Sequence, residues 1–169
     1  TNIDKEPDIN ELLTLTDFRL NTGDIPYPDY FGSGMIDQGS LCEITIKNGT
    51  SQDAAVILLN TETESCMRNI YIRANNSFTI KQIPEGIYKM KYFQGDYWNP
   101  KLNNGEGFPI GGFSKNISFS MPSSSKDYFI MYKEKTDNGY NYPTYTVTLH
   151  TVVNGNMKTK KISKDIFFE

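Results

Sequence analysis

The 169-residue chain has one histidine, two cysteines and one tryptophan, and these few residues bound the chemistry open to it. A serine or cysteine nucleophile needs an imidazole or an equivalent base within hydrogen-bond reach. His150 lies on the polar phase of an alternating run beside Thr148, so it reads as a strand histidine. No serine sits in a Gly-x-Ser-x-Gly context, and Ser123-Ser124-Ser125 reads as a turn cluster. Nucleophilic catalysis has little to work with. Two cysteines and one histidine also fall short of a usual zinc set. The run Asp96-Tyr97-Trp98-Asn99-Pro100, with Asn103, Asn104 and Glu106, offers oxygen ligands without the Asp-x-Asp-x-Asp-Gly spacing of a calcium loop. No metal and no cofactor is expected, and no catalytic residue is assigned.

Glycoside hydrolysis needs two carboxyl groups facing each other across a cleft. Glu62, Glu64, Asp96 and Glu106 all fall in segments that read as turns, where acidic residues are common anyway. Sugar binding fits better. Tyr92, Tyr97 and Trp98 cluster in sequence, and planar rings stack on the apolar faces of sugars, which makes Asp96, Tyr97 and Trp98 the ligand-binding candidates. The competing reading, favoured for Trp98, is that its ring caps the core, since large aromatics dominate core burial. Cys42 shares the phase of Ile44 and Ile46, and Cys66 that of Ile70 and Ile72. Two buried thiols or one Cys42–Cys66 disulfide fit this equally. In an oxidising compartment a bridge would contribute about 3 kcal/mol. Asn48-Gly49-Thr50, Asn75-Asn76-Ser77 and Asn116-Ile117-Ser118 match the glycosylation pattern, which an Asn-rich chain meets by chance.

The elements that hold these residues are strands. Seventeen Ile, fifteen Thr and 22 aromatics against three Ala and nine Leu make a strand-former's composition and exclude long helical bundles. From Ser40 onward the apolar residues fall at period two: Cys42, Ile44 and Ile46, then Ile70 and Ile72 inward with Tyr71 and Arg73 outward. Residues 54–59 are apolar throughout, the mark of a strand covered on both faces. Phe78 with Ile80, residues 87–93, residues 117–121, residues 128–132 and the run from Tyr145 to Val153 add further strands. Asn48-Gly49, Asn75-Asn76, Pro84-Glu85-Gly86, Asp137-Asn138-Gly139 and Asn154-Gly155 supply the turns. Residues 96–112, rich in Asn, Gly and Pro, read as irregular, and residues 162–168 as a strand closing the sheet. About eight short strands without helical crossovers predict an all-β, antiparallel β-sandwich over residues 40–169.

Residues 1–39 read differently. They carry eight acidic side chains against Lys5 and Arg19, a net charge of −6, which leaves +3 on the rest of a chain of net charge −3. Asp8 and Glu11 form a capping signal for a short helix, and the Pro- and Gly-punctuated run from Asp24 to Gly34 blocks regular structure. This is an acidic extension, either a tether or a wrapping arm. Neither part has the run of like charge that nucleic acid or a membrane surface would attract. No stretch approaches the ~20 apolar residues of a membrane span. The chain begins at Thr1 without a Met, which leaves room for an upstream signal, anchor or domain.

Two resemblances follow. The stretch from Asn76 to Ile80, through Ile83-Pro84-Glu85-Gly86-Ile87-Tyr88 to Gly95, resembles the carboxypeptidase-regulatory or transthyretin-like strand signature. More broadly, residues 40–169 are similar to an uncharacterised bacterial β-sandwich domain family, sometimes fused to J-domain or membrane segments. The similarity runs through Asn48-Gly49-Thr50, Tyr71-Ile72-Arg73-Ala74, Gly95-Asp96-Tyr97-Trp98, Phe113, the run from Tyr145 to His150, Gly155-Asn156 and Phe167. It implies a Greek-key, transthyretin-like sandwich and no catalytic residues, with Arg73, Asp96, Trp98 and His150 more readily fold-specifying than ligand-facing. The expected function is a non-enzymatic binding or interaction module of a bacterial cell-envelope protein, extracytoplasmic (periplasmic or cell surface), with a protein partner or a surface glycan. A carbohydrate-binding module using the aromatic loop residues is the alternative.

Overall fold

The structure is a computed structural model that describes residues 8–122, 127–149 and 159–169. A short helix α1 (Ile9–Thr14), a 3-10 turn (Thr16–Phe18) and a one-turn helix α2 (Pro28–Phe31) precede the strands. These are β1 (Glu43–Asn48), β2 (Asp53–Asn60), β3 (Cys66–Ile72), β4 (Ser77–Ile80), β5 (Gly86–Asn103), β6 (Ile110–Pro122), β7 (Phe129–Met131), β8 (Glu134–Thr136), β9 (Gly139–Asn141), β10 (Thr144–Leu149) and β11 (Thr159–Lys161). Helix α3 (Lys164–Phe168) ends the chain. The all-β class is as the composition requires. A three-stranded sheet, β10-β1-β4, faces a larger one, β11-β6-β5-β2-β3, in which β7 extends the start of β5. Among the described residues every strand pairing is antiparallel except that of β1 with β10, which run parallel.

The core between the two sheets is built from alternate residues. Ile44 and Ile46 of β1 meet Ala54, Val56 and Leu58 of β2, Ile70 and Ile72 of β3, and Tyr88, Met90 and Tyr92 of β5. The intervening residues make a second core on the outer face of the larger sheet. There Ala55, Ile57, Tyr71, Phe93, Trp98, Phe113 and Phe119 pack together beneath Tyr27, Phe167 and Phe168. The unbroken apolar run of β2 is thus covered on both faces. Tyr71, expected to point to solvent, is fully buried in this second core. Residues 162–168 do not close the sheet as one strand: β11 pairs with β6 at Lys161↔Ser120, and α3 then lays Phe167 and Phe168 over the sheet. Adjacent residues of one strand point to opposite faces, so burying both rings in one cluster takes a helical turn.

The acidic extension supplies the rest of this outer layer. Leu12 and Tyr27 are buried, and Tyr27 donates from its backbone to the Asn69 side chain and from its hydroxyl to the Gly111 carbonyl, at 2.9 and 3.0 Å. Gly23 N–H donates to Tyr71 C=O and Tyr71 N–H to Asp24 C=O, both at 2.8 Å, and Met35 N–H donates to Met67 C=O. These bonds occupy the outer edge of β3, which would otherwise be open to pairing with another chain.

Two local departures from regular pairing reshape the picture drawn from periodicity. Residues 96–112 are mostly strand, because β5 and β6 continue past the sandwich as a long ribbon whose register shifts between Gln94 and Asp96 and between Asn99 and Asn103. Pro100, which has no N–H to give, sits in the second of these gaps. The other departure is in β3, where Leu58 pairs with Arg68 but Leu59 pairs with Cys66. The extra residue, Met67, inverts the phase. Cys42 therefore lies in the inter-sheet core while Cys66 packs against the outer one, and both are free thiols. The disulfide alternative is overturned, because the larger sheet stands between the two sulfurs.

Gly95 lies where β5 turns out of the sandwich, and a Cβ there would meet Phe113 Cβ at 2.4 Å and Lys115 C=O at 3.2 Å. Gly95→Ala should lower stability by about 1–3 kcal/mol through overpacking, read as a lower urea midpoint at unchanged slope. Denatured without reductant, the protein should take up an alkylating agent at both cysteines.

Candidate functional site

The 3-10 turn of the extension lies against β5, and between them opens a cleft of about 580 Å³. Leu15, Thr16 and Arg19 form one wall, Asp96, Tyr97 and Trp98 of β5 the other, with Lys115 and Asn116 of β6 behind them. Ser51 and Asp53 complete it at the start of β2. That volume is in the range of small-ligand sites.

Three consecutive strand residues ordinarily alternate between faces, yet Asp96, Tyr97 and Trp98 all reach this cleft. The cause is Tyr97, whose φ of 57° is left-handed and breaks the alternation. On the facing strand Asn116 has a φ of 51°, and its side chain donates to Asp96 Oδ2 at 2.8 Å. Gln52 Nε2 approaches the same oxygen at 3.5 Å. Asp96 is therefore clamped on one oxygen, while Oδ1 accepts no hydrogen bond from the described residues.

The three sequence candidates take different roles. Trp98 is 3% exposed, and its ring meets Tyr27, Tyr71 and Phe113 edge-on with centroids 5.6, 5.5 and 5.1 Å apart. It is a core residue with too little exposed surface to serve as a stacking platform. Tyr97 and Asp96 are half-buried and accessible. Arg19, Lys115, Asn116 and Ser51 join them from distant parts of the chain. Arg19 did carry a signal, being one of only two cations in the acidic extension.

Asp53 holds the site together. Its Oδ2 accepts from Arg19 Nε at 2.7 Å and Tyr71 Oη at 2.6 Å, and its Oδ1 from Arg19 Nη2 at 2.7 Å and Ala74 N at 2.8 Å. Burial alone would push this carboxyl up, but the bonds from Arg19, Tyr71 and Ala74 outweigh it and hold it below its ordinary value. Burial, and then Asp53 itself, raise the Tyr71 phenol, so Tyr71 stays a donor at neutral pH. A carboxylate with both oxygens doubly bonded and its affinity for protons lowered cannot serve as a general acid. Asp53 is therefore not placed to be the acid of a glycosidase pair, although it lines the cleft with Asp96.

The other sequence candidates have structural employment. Asn99 and Asn103 accept from the backbone of Lys101 and Gly105, and Asn104 donates to the carbonyls of Pro109 and Gly111. These asparagines thus stabilise the turn of the ribbon. Among the described residues no three of His, Cys, Asp and Glu are grouped to hold a metal. Asn48 is buried with its amide nitrogen donating to three carbonyls, so it is closed to glycosylation. Arg73 fastens the extension, donating to Leu20 C=O at 2.7 Å and Asn21 Oδ1 at 2.9 Å. His150, Ser123-Ser124-Ser125 and Asn154-Gly155 lie outside the described residues.

Asp53→Ala should cost about 2–3 kcal/mol, since it leaves buried donors on Tyr71 and Ala74 unpaired. Arg19→Ala should cost less than about 1 kcal/mol, because the Arg19 side chain is 43% exposed and its pairing is screened. Asp53 binds its proton more weakly in the folded chain, so its contribution is complete above the ordinary carboxyl pKa and is lost as pH falls through the lower folded value. Amide exchange at Gly23 and Tyr71 should accelerate only in that acid window, and Asp53→Asn should remove the dependence. No family model matches the chain, and no curated protein or solved structure does either.

Proposed function

We propose that this chain is a non-enzymatic binding module of a bacterial cell-envelope protein, acting outside the cytoplasm, and that its binding element is the cleft between the extension and the β5–β6 ribbon. One observation carries the reading. The docked extension completes a ligand-sized recess whose fixed polar groups, Asp96 clamped by Asn116 and Arg19 clamped by Asp53, are pre-positioned for recognition rather than for proton transfer. Pre-organised side chains of this kind lower the cost of ordering on binding. The envelope setting, and the Greek-key, transthyretin-like detail of the sandwich, come from the family resemblance of residues 40–169. No helix of the described residues is long and apolar enough to cross a membrane.

The carbohydrate reading keeps one specific support. Tyr97 and Asp96, an accessible aromatic and a carboxylate, stand side by side at the cleft even though Trp98 has withdrawn into the core.

Ser51 is exposed at the cleft and holds none of the extension's contacts, so Ser51→Trp should fill the recess without undocking that layer. Wild-type protein should sediment with the insoluble envelope fraction of bacterial cells, and the Ser51→Trp variant should remain in the supernatant. Equal sedimentation of the two, or none by the wild type, would remove the cleft from the function.

A further inference from the structure

The groups that face the cleft are not equally satisfied. Arg19 is neutralised by its two-pronged pairing with Asp53, through Nε and Nη2. Asp96 has one oxygen clamped by Asn116 and the other open. Lys115 is Asp96's register partner across the β5–β6 ribbon, and it is half-buried at the cleft. Its ammonium has no hydrogen bond to, and no ion pair with, any described residue.

A lysine and an aspartate opposite each other on a two-stranded ribbon ordinarily close into a cross-strand pair. Here they do not, and both line the cleft on the side opposite the extension. An ammonium with no ion-pair partner and a carboxylate oxygen with no donor among the described residues are the groups of this cleft still open to a ligand. A ligand that gives Lys115 an anion and Asp96 Oδ1 a hydrogen-bond donor satisfies both at once.

Resting on the cleft reading above, we infer that the ligand is an acidic saccharide, a sugar ring bearing both a carboxylate and free hydroxyls. The carboxylate sits against Lys115, and ring hydroxyls donate to Asp96 Oδ1. A neutral sugar leaves Lys115 unpaired. A phosphate monoester brings more negative charge close to Asp96 than one ammonium offsets. A peptide would be read chiefly through main-chain pairing, whereas this cleft presents an ammonium, a carboxylate, hydroxyls from Ser51 and Thr16, and the Tyr97 phenol. The recess is the size for a short stretch of chain rather than for a folded partner.

The test uses a galacturonic acid trisaccharide and its neutral galactose counterpart, titrated into the full chain and followed by calorimetry and amide shifts. The acidic sugar should bind at least tenfold more tightly, perturb the amides of Tyr97 and Asn116, and weaken as salt rises. Lys115→Gln should reduce its affinity to that of the neutral sugar, and Asp96→Asn should weaken both, with thermal unfolding unchanged in each variant. Equal affinity for the two sugars would overturn the acidic preference while leaving the cleft as the site. Binding of neither sugar, with Ser51→Trp still blocking envelope sedimentation, would overturn the saccharide class alone. Binding of neither, with sedimentation insensitive to Ser51→Trp, would remove both proposals.

Discussion

The structure turns on one carboxylate. Asp53 is the first residue of β2, and its four hydrogen bonds join the acidic extension at Arg19, the edge strand at Tyr71 and the following turn at Ala74. A charge with a side chain only 11% exposed is costly unless its lone pairs are filled. Here they are filled, and the donors come from two distant stretches of sequence, Arg19 in the extension and Tyr71 with Ala74 at the end of β3. The carboxylate is thus satisfied only when the outer layer is docked. Arg73 adds a second fastener by binding Leu20 and Asn21, so the extension is held on both sides of β3's last residues.

That docking explains why the larger sheet can be apolar on both faces. With the outer core left open, Tyr71, Phe93, Phe113 and Phe119 would present a broad aromatic surface to water. The extension and α3 close it by inserting Tyr27 and the Phe167-Phe168 pair, whose rings meet Tyr27 and Phe93 at 5.3 and 5.7 Å. The chain's two ends thereby become parts of one layer. Tyr30 donates its hydroxyl to Phe168 C=O at 2.7 Å, linking them directly.

Period-two reading recovers elements well and faces poorly, for physical reasons visible at single residues. The β1 and β2 patterns are legible because their apolar positions admit one arrangement. Tyr71 is not, since an amphipathic ring at an alternate position suits either solvent or a second core until the covering layer is known. Cys66 is misplaced by one bulge residue, and a bulge leaves no composition signal beyond the extra Met67 itself. Asn, Gly and Pro mark residues 96–112 as a loop by local chemistry, but ladder gaps absorb them inside a strand pair. The site follows the same logic. Adjacent Asp96 and Tyr97 are legible as a cluster, whereas Lys115 and Arg19 arrive through pairing register and docking, which one linear sequence does not display.

Because one wall of the cleft belongs to the extension, the proposed recognition and the docking of that extension would be thermodynamically one process. A ligand that touches both walls binds only the docked form, and it must stabilise docking by RT ln(1 + [L]/Kd). The reverse also holds: whatever loosens the Arg19–Asp53 clamp lowers apparent affinity by the fraction of chains left undocked. Attachment of the outer layer over Tyr71, Phe93, Trp98, Phe113 and Phe119 keeps that fraction small, so affinity would be set by the cleft's own side chains. The acidic extension then has a second consequence. Its charge of −6, spread over a sandwich of +3, would repel an anionic ligand at long range, and screening by physiological salt confines that repulsion to about 8 Å. At the cleft itself Lys115 is a cation with no ion-pair partner among the described residues. On the proposed reading, selection of the ligand therefore rests on short-range pairing inside the cleft and owes little to steering by the whole chain.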